Sequence, residues 1–94
     1  MANVLLHIGK KRVQTLTASD GSVIPPGTVT ATAQFGNVSV SVDPVTNAVT
    51  VTGISTVEFC NVNYSAPGYL GASQTFQVAP LPNLIVTDGP EQLV

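Results

Sequence analysis

The chain has 94 residues, the size of one small domain. Only 9% of them are charged and the formal net charge is −2, whereas a typical soluble domain has about 25% charged residues. This charge does not favour nucleic acid or an anionic membrane as a partner. Hydrophobic residues make up 44% of the chain, so some apolar surface must stay exposed, which favours contact with other protein subunits.

The first segment, MANVLLHIG, contains a short apolar run from Val4 to Leu6. The run is about half the length that a secretion signal needs, and the basic residues follow it instead of preceding it. No apolar run reaches the ~18 residues of a membrane-spanning helix. We therefore expect neither a secretion signal nor a membrane span.

All three basic residues of the chain stand together as Lys10, Lys11 and Arg12. A run of this kind at the start of a strand is typical of solvated residues that protect a sheet edge. The alternative is an anchor for an acidic partner surface. Without interleaved aromatic residues, the run does not indicate binding of nucleic acid.

Alternating Thr and Val residues dominate the next part of the chain, and both favour a pleated strand. RVQTLT predicts a first strand, and SVI before Pro25 predicts a short continuation. TVTATAQF then predicts a half-buried strand whose inward face carries Val29, Ala31, Ala33 and Phe35.

The segment VSVSVDPVTNAVTVTG predicts a hairpin. Its turn runs from Asp43 to Asn47, because Asp, Pro and Asn favour turn conformations. The valines on both sides of the turn, Val40, Val42, Val49 and Val51, are expected to enter the same core. Gly53 is expected to permit a sharp change of direction into the next strand.

The stretch STVEFCNVNY predicts a long strand, although the apolar residues before Cys60 have odd numbers and those after it have even numbers. A bulge near Cys60 or Asn61 would reconcile the two halves, since one extra residue switches the buried face. QTFQVA predicts a last strand with Phe76 and Val78 on one face. About seven short strands without a helix indicate two packed antiparallel sheets.

The chain is expected to be a single domain over residues 1–94. Its core spans about residues 12–80, an N-terminal arm covers residues 1–9, and a C-terminal tail covers residues 81–94. The tail contains a second apolar run, from Leu84 to Val86. We expect the apolar runs of arm and tail to add edge strands to the same domain. The alternative is pairing with the sheet edge of a neighbouring subunit.

The order of these elements resembles that of a bacterial immunoglobulin-like domain. The resemblance is carried by ASDGSVIPPGTVTATAQFGNVSVSVDPVTNAVTVTGIS and by SQTFQVAP, and it covers about three quarters of the chain. The family typically shows a polar turn, a threonine-rich strand, a short valine strand, a turn with VT, and then VTG. Where the family usually has a second glycine soon after VTG, this chain reads ISTVEF.

The resemblance implies an all-β, immunoglobulin-like antiparallel β-sandwich of about seven strands. Such domains are repeated in invasin- and intimin-type adhesins and occur singly in phage virion proteins. With one domain and no signal pattern, we expect a non-enzymatic structural or decoration subunit of a larger assembly, a phage virion. The alternative is a protein- or carbohydrate-binding module of an adhesin at the bacterial cell surface. The expected partners are therefore other protein subunits, with the chain in an oligomer or bound to an assembly.

Residues that could carry catalysis or bind a metal are sparse. His7 is the only histidine and Cys60 is the only cysteine, so neither a Ser–His–Asp relay nor a zinc site is indicated. Three of the five carboxylates, those of Asp20, Asp43 and Asp88, precede Gly or Pro and belong to turns. We predict no catalytic residue, no metal and no cofactor.

The stretch NYSAPGYLGAS is predicted to contribute a contact surface. Two tyrosines flank its Pro-Gly turn, and tyrosine is enriched at interfaces. The alternative is that one tyrosine caps the core and the other packs on a loop. Together with the basic run and the two apolar runs, the predicted partner contacts are Tyr64, Tyr69, Leu5, Leu6, Leu84, Ile85, Lys10, Lys11 and Arg12.

Overall fold

The computed structural model describes residues 3–94, so Met1 and Ala2 of the predicted N-terminal arm lie outside the described residues. The described residues form seven strands and no helix, hence none that could cross a membrane. The strands are β1 (Val4–His7), β2 (Lys11–Gln14), β3 (Thr30–Ala33), β4 (Val38–Val42), β5 (Val49–Gly53), β6 (Val57–Ser65) and β7 (Ala72–Ala79). The prediction of an all-β chain with about seven strands is confirmed.

The strands form two sheets, one in the order β1-β7-β6-β3 and the other in the order β2-β5-β4. Neighbouring strands are antiparallel except for β1 and β7, which are parallel. The expectation of purely antiparallel sheets is therefore wrong for this one pair. The N-terminal apolar run adds an edge strand within the domain, as expected.

The core lies between the two sheets and is built from alternate residues of their strands. Its largest fully buried side chains are Phe76, Val49, Val51, Val62 and Cys60. Strand β1 contributes Leu6, which is 2% exposed. Full burial of a side chain of this size contributes about 1.5–3 kcal/mol, so β1 is part of the stable domain.

The predicted hairpin is present as β4 and β5, with Val40 opposite Val51 and Val42 opposite Val49. The predicted bulge in the long strand is also present. The register between β6 and β7 shifts between Val57 and Cys60, slightly earlier in the chain than expected. After this shift the even-numbered residues of β6 face the core. The sequence indicated this, because its apolar residues have odd numbers before Cys60 and even numbers after it.

Two local predictions are wrong. The SVI segment forms no strand, because residues 22–27 belong to the long connection between β2 and β3. Phe35 is 46% exposed instead of facing the core. Strand β3 ends at Ala33, and the chain turns towards β4 at Phe35, so the inward alternation does not continue.

Residues 80–94 form an extended arm that follows β7. None of these residues belongs to a strand or helix, and all of them are exposed. The molecule measures 71 × 24 × 23 Å, and its radius of gyration is 18.7 Å, whereas a compact domain of this length has about 12 Å. The C-terminal apolar run therefore adds no edge strand to its own domain, contrary to our expectation. We call residues 80–94 the C-terminal arm.

Candidate functional site

Three connections lie at the same end of the sandwich, opposite the C-terminal arm. They join β2 to β3, β4 to β5, and β6 to β7. Strand pairing places them together, since Gln14 at the end of β2 is opposite Val49 at the start of β5. In the other sheet, Tyr64 near the end of β6 is opposite Ala72 at the start of β7. We call this region the loop end.

A cleft of about 390 Å³ opens at the loop end between the β2–β3 and β6–β7 connections. This volume falls within the range of about 300–1,000 Å³ that is typical of ligand sites. Apolar side chains line much of it, among them Leu16, Ile24, Val29, Ala66 and Leu70, and Asp20 is the only charged residue among those that line it. The cleft therefore favours an uncharged, largely apolar occupant.

Tyr64 closes the base of the cleft and bridges the two sheets. Its side chain is 6% exposed, and its hydroxyl donates a hydrogen bond to Gln14, whose amide donates in turn to Gln74. Burial raises the pKa of Tyr64, although the bond to Gln14 opposes this effect. Tyr64 thus caps the core. The prediction that Tyr64 is an exposed partner contact is wrong, and the alternative, that one tyrosine caps the core, applies to it.

Tyr69 forms part of the cleft wall by packing on the opposite connection. Its hydroxyl lies 2.9 Å from Oγ of Ser22 and donates to the carbonyl of Val23 at 3.4 Å. Next to it, the side chain of Leu70 is fully exposed. Tyr69 is held by the β2–β3 connection, while Leu70 remains free to contact another molecule.

Asn47, which has no predicted role beyond the hairpin turn, determines the shape of the loop end. It is 6% exposed and has a positive φ of 61°. Its side-chain oxygen accepts from the N–H of Gly27 at 3.0 Å, and its side-chain nitrogen donates to the carbonyls of Ile24 and Pro25 at 3.3 and 3.1 Å. Asn47 therefore ties the β2–β3 connection, including the cleft residue Ile24, to the hairpin.

Two carboxylates stabilise turns at the loop end. Asp20 accepts hydrogen bonds from the hydroxyl and backbone N–H of Ser22 at 2.7 and 3.0 Å, and these bonds lower the pKa of Asp20. Asp43 accepts from the N–H groups of Val45 and Thr46 at 2.8 and 3.2 Å, and these bonds lower the pKa of Asp43. Both turns are therefore stabilised by the ionised carboxylate.

Acid should weaken these turns. Because both folded-state pKa values lie below the unfolded value of about 3.9, the stabilisation is present above that pH and is lost as the pH falls through the folded values. Urea unfolding between pH 2 and 7 should show this loss below about pH 4. The double variant Asp20→Asn/Asp43→Asn should lose less stability in this range, whereas the charge-matched control Asp88→Asn/Glu91→Gln, in the exposed C-terminal arm, should behave like the parent chain. An equal loss in all three proteins would contradict the prediction.

The structure does not bring the other predicted contact residues to the cleft. Lys10, Lys11 and Arg12 are exposed near the opposite end, where Nε of Arg12 donates to the carbonyl of Leu5 at 2.9 Å. This bond ties the edge of one sheet to the edge of the other, in agreement with an edge-protecting role. Leu5 is 43% exposed, whereas Leu6 belongs to the core and is not part of the surface.

The two remaining predicted contacts lie in the C-terminal arm. Leu84 is 97% exposed and Ile85 is 88% exposed. Among residues 3–94, no three His, Cys, Asp or Glu side chains lie close enough together to hold a metal ion. The structure thus presents two separate candidate contact regions, the cleft at the loop end and the arm at the other end.

No family model matches this chain, and no curated protein and no solved structure is significantly similar to it.

Proposed function

We propose that this chain is a non-enzymatic structural subunit of a larger protein assembly, such as a phage virion, and that the C-terminal arm joins it to its neighbours. The exposed apolar run of the arm carries this proposal. Leu84, Ile85 and Val86 are 97%, 88% and 85% exposed and stand side by side. Contiguous apolar surface of this kind marks sites of contact with other proteins.

We further propose that the sandwich is immunoglobulin-like. In an immunoglobulin domain, strands B, E and D are neighbours in one sheet and strands C, F and G are neighbours in the other. The orders β2-β5-β4 and β3-β6-β7 follow this pairing, with β1 placed beside the last strand. This assignment supports the family resemblance of the sequence, and it makes the loop end equivalent to the end at which antibodies bind antigen.

The arm has the properties of a segment that binds a partner in extended form. Extended segments bind by adding a strand to a sheet or by placing side chains in pockets. Full burial of Leu, Ile and Val contributes about 1.5–3 kcal/mol each, or roughly 5–9 kcal/mol together. Part of this gain is offset by the cost of association and of ordering the arm. The net gain from the run alone therefore corresponds to weak association, in the range from millimolar to high micromolar, and hydrogen bonds of the extended backbone would add to it.

Removal of the arm tests this function. A chain that ends at Pro80 keeps every core residue, so its thermal stability should equal that of the parent. The parent should form oligomers whose mass rises with concentration in analytical ultracentrifugation, whereas the truncated chain should remain monomeric. A triple variant that keeps the arm, Leu84→Ser/Ile85→Ser/Val86→Ser, should also be monomeric. This variant separates the effect of the apolar side chains from the effect of the length of the arm.

A parent chain that stays monomeric at all concentrations and is indifferent to loss of the arm would contradict the proposal. Deletion of the N-terminal segment is not a useful test, because it would remove Leu6 from the core.

The cleft favours a second candidate, the ligand-binding module of a bacterial surface adhesin. Its volume of about 390 Å³ and its position among loops are typical of a binding site. This candidate predicts a monomer that binds a protein or carbohydrate ligand through the cleft and does so equally well without the arm. The two functions are therefore separated by the effect of truncation at Pro80.

A further inference from the structure

We infer that the C-terminal arm of one copy binds in the loop-end cleft of a second copy, so that the chains join head to tail. This inference rests on the proposed function and names the partner surface of the arm. It brings together two features of the molecule, the exposed apolar run of the arm and the largely apolar cleft at the loop end.

Strand β7 connects the two features and separates them in space. Ala72, its first residue, lines the cleft, and Ala79, its last residue, immediately precedes the arm. Seven residue steps of about 3.4 Å place these ends about 24 Å apart. The carbonyl of Ala79 accepts from the N–H of Ile8 at 3.0 Å, which fixes the base of the arm at the end of the domain opposite the cleft.

The apolar run as a whole cannot reach the cleft of its own chain. Leu84 and Ile85 follow Ala79 by five and six residues, which span at most about 18 and 22 Å when fully extended. Both distances are shorter than β7 itself, and Val86, at about 25 Å, would only match its length. The arm would also have to reverse its direction at the end of the strand. A second copy can instead present its cleft directly to the projecting arm.

The arm and the cleft are chemically matched. The cleft offers apolar side chains, with Leu70 fully exposed at its edge. Its single charged residue, Asp20, already accepts two hydrogen bonds from Ser22. The run Leu84–Val86 carries no charge, so its burial leaves no unpaired ion. The hydroxyl groups of Ser19 and Ser65 along the cleft can bond the backbone of an extended segment.

A contact of this kind uses two different surfaces, so every copy offers one arm and one cleft. Such head-to-tail contacts form a closed ring when the rotation closes and an open filament when it does not. The expected products of association are therefore rings or chains of copies instead of isologous dimers.

Disulfide trapping between two variants tests the contact. One chain carries Leu70→Cys in the cleft and the other carries Ile85→Cys in the arm. Native Cys60 is fully buried, so it should contribute little background. After the two are mixed and oxidised, we expect cross-linked pairs containing one chain of each variant, at least about tenfold more than with Val13→Cys, which is 63% exposed on the edge strand β2. A disulfide forms only when the two Cα atoms approach to about 4.4–6.8 Å.

A substitution in the cleft provides an independent measurement. Leu70→Asp should weaken self-association at least about tenfold, since it removes an apolar contact at the edge of the cleft and places an unpaired charge against the apolar run. The matched control Val13→Asp should leave association unchanged, and both variants should melt like the parent. Arm-dependent association that persists in Leu70→Asp, or trapping at position 13 instead of 70, would overturn the inference and leave the proposed function standing. A parent that is monomeric at every concentration would overturn both.

Discussion

Replacement of Asn47 by alanine is expected to lower the free energy of unfolding by about 2–4 kcal/mol. Three hydrogen bonds are lost, to Gly27, Ile24 and Pro25, and each contributes about 1 kcal/mol. Alanine also tolerates the φ of 61° poorly, at a cost of roughly 1 kcal/mol. For a domain whose total stability is about 5–14 kcal/mol, this is a large loss.

Urea unfolding followed by circular dichroism measures this effect, and two further substitutions separate its causes. Asn47→Gly permits the positive φ but removes the side-chain bonds, so it should be less destabilising than Asn47→Ala by about 1 kcal/mol. Asn47→Asp retains an acceptor for Gly27 but points a carboxylate at the carbonyls of Ile24 and Pro25, so its loss should be larger at pH 7 than at pH 4. Equal stability of Asn47→Ala and the parent would show that the hydrogen bonds of the Asn47 side chain do not stabilise the β2–β3 connection.

The effect should extend to the cleft. Asn47 positions Ile24, which lines the cleft, through the hydrogen bond that its side-chain amide donates to the backbone carbonyl of Ile24. Loosening of the β2–β3 connection should therefore reduce self-association at temperatures where Asn47→Ala is still folded. The hairpin thus contributes to the candidate site although no residue of it lines the cleft.

The sequence predicted strand positions well where strict alternation operates. In VSVSV and AVTVT every second side chain is apolar, and a one-residue slip would expose all of them. For this reason Val40, Val42, Val49 and Val51 were assigned to the correct face. The bulge in β6 was also predictable, because a change of parity within one strand demands an extra residue.

Strand partners were less accessible to sequence reasoning. The run from Val4 to Leu6 has the composition of an edge strand, but nothing in it specifies a parallel pairing with β7. That pairing depends on the turn at Gly9, whose φ is 77°, and on the approach of the chain to the other sheet. The C-terminal run from Leu84 to Val86 has a similar composition, yet it pairs with nothing in its own domain.

The candidate site was predicted only in part. NYSAPGYLGAS was identified by its tyrosines, whereas the structure uses Tyr64 as a core residue and leaves Leu70 exposed. Sequence spacing could not show that residues 16–24 face this stretch across the cleft, because a long connection without periodicity carries no register. A buried Asn at the end of a hairpin turn is a usable signal, since Asn tolerates positive φ, but its bonds to a distant loop follow only from the fold.

At Gly53 the backbone of β5 lies close to the end of β1 in the other sheet, and Gly53→Ala should cost about 3 kcal/mol. A Cβ atom there would lie 2.7 Å from the carbonyl oxygen of His7 and 3.3 Å from Cγ1 of Val78. The glycine was expected to permit a change of chain direction, but its backbone is an ordinary strand. What it permits is the contact between β5 and the end of β1, where its carbonyl accepts from the N–H of Gly9 at 3.0 Å.

Overpacking against backbone is relieved only by moving a strand, and it typically costs 1–3 kcal/mol or more. In Gly53→Ala the strand that must move is β1, so amide hydrogen exchange should accelerate at Leu6 and His7 before the rest of the sandwich opens. Gly36→Ala is the matched control, because a Cβ there would meet nothing within 4 Å, and its stability should stay within about 0.5 kcal/mol of the parent.

Since β1 also holds Ala79 at the base of the arm, displacement of β1 should weaken self-association. Similar exchange and stability in the two glycine variants would show that the close approach at Gly53 does not hold β1 in place.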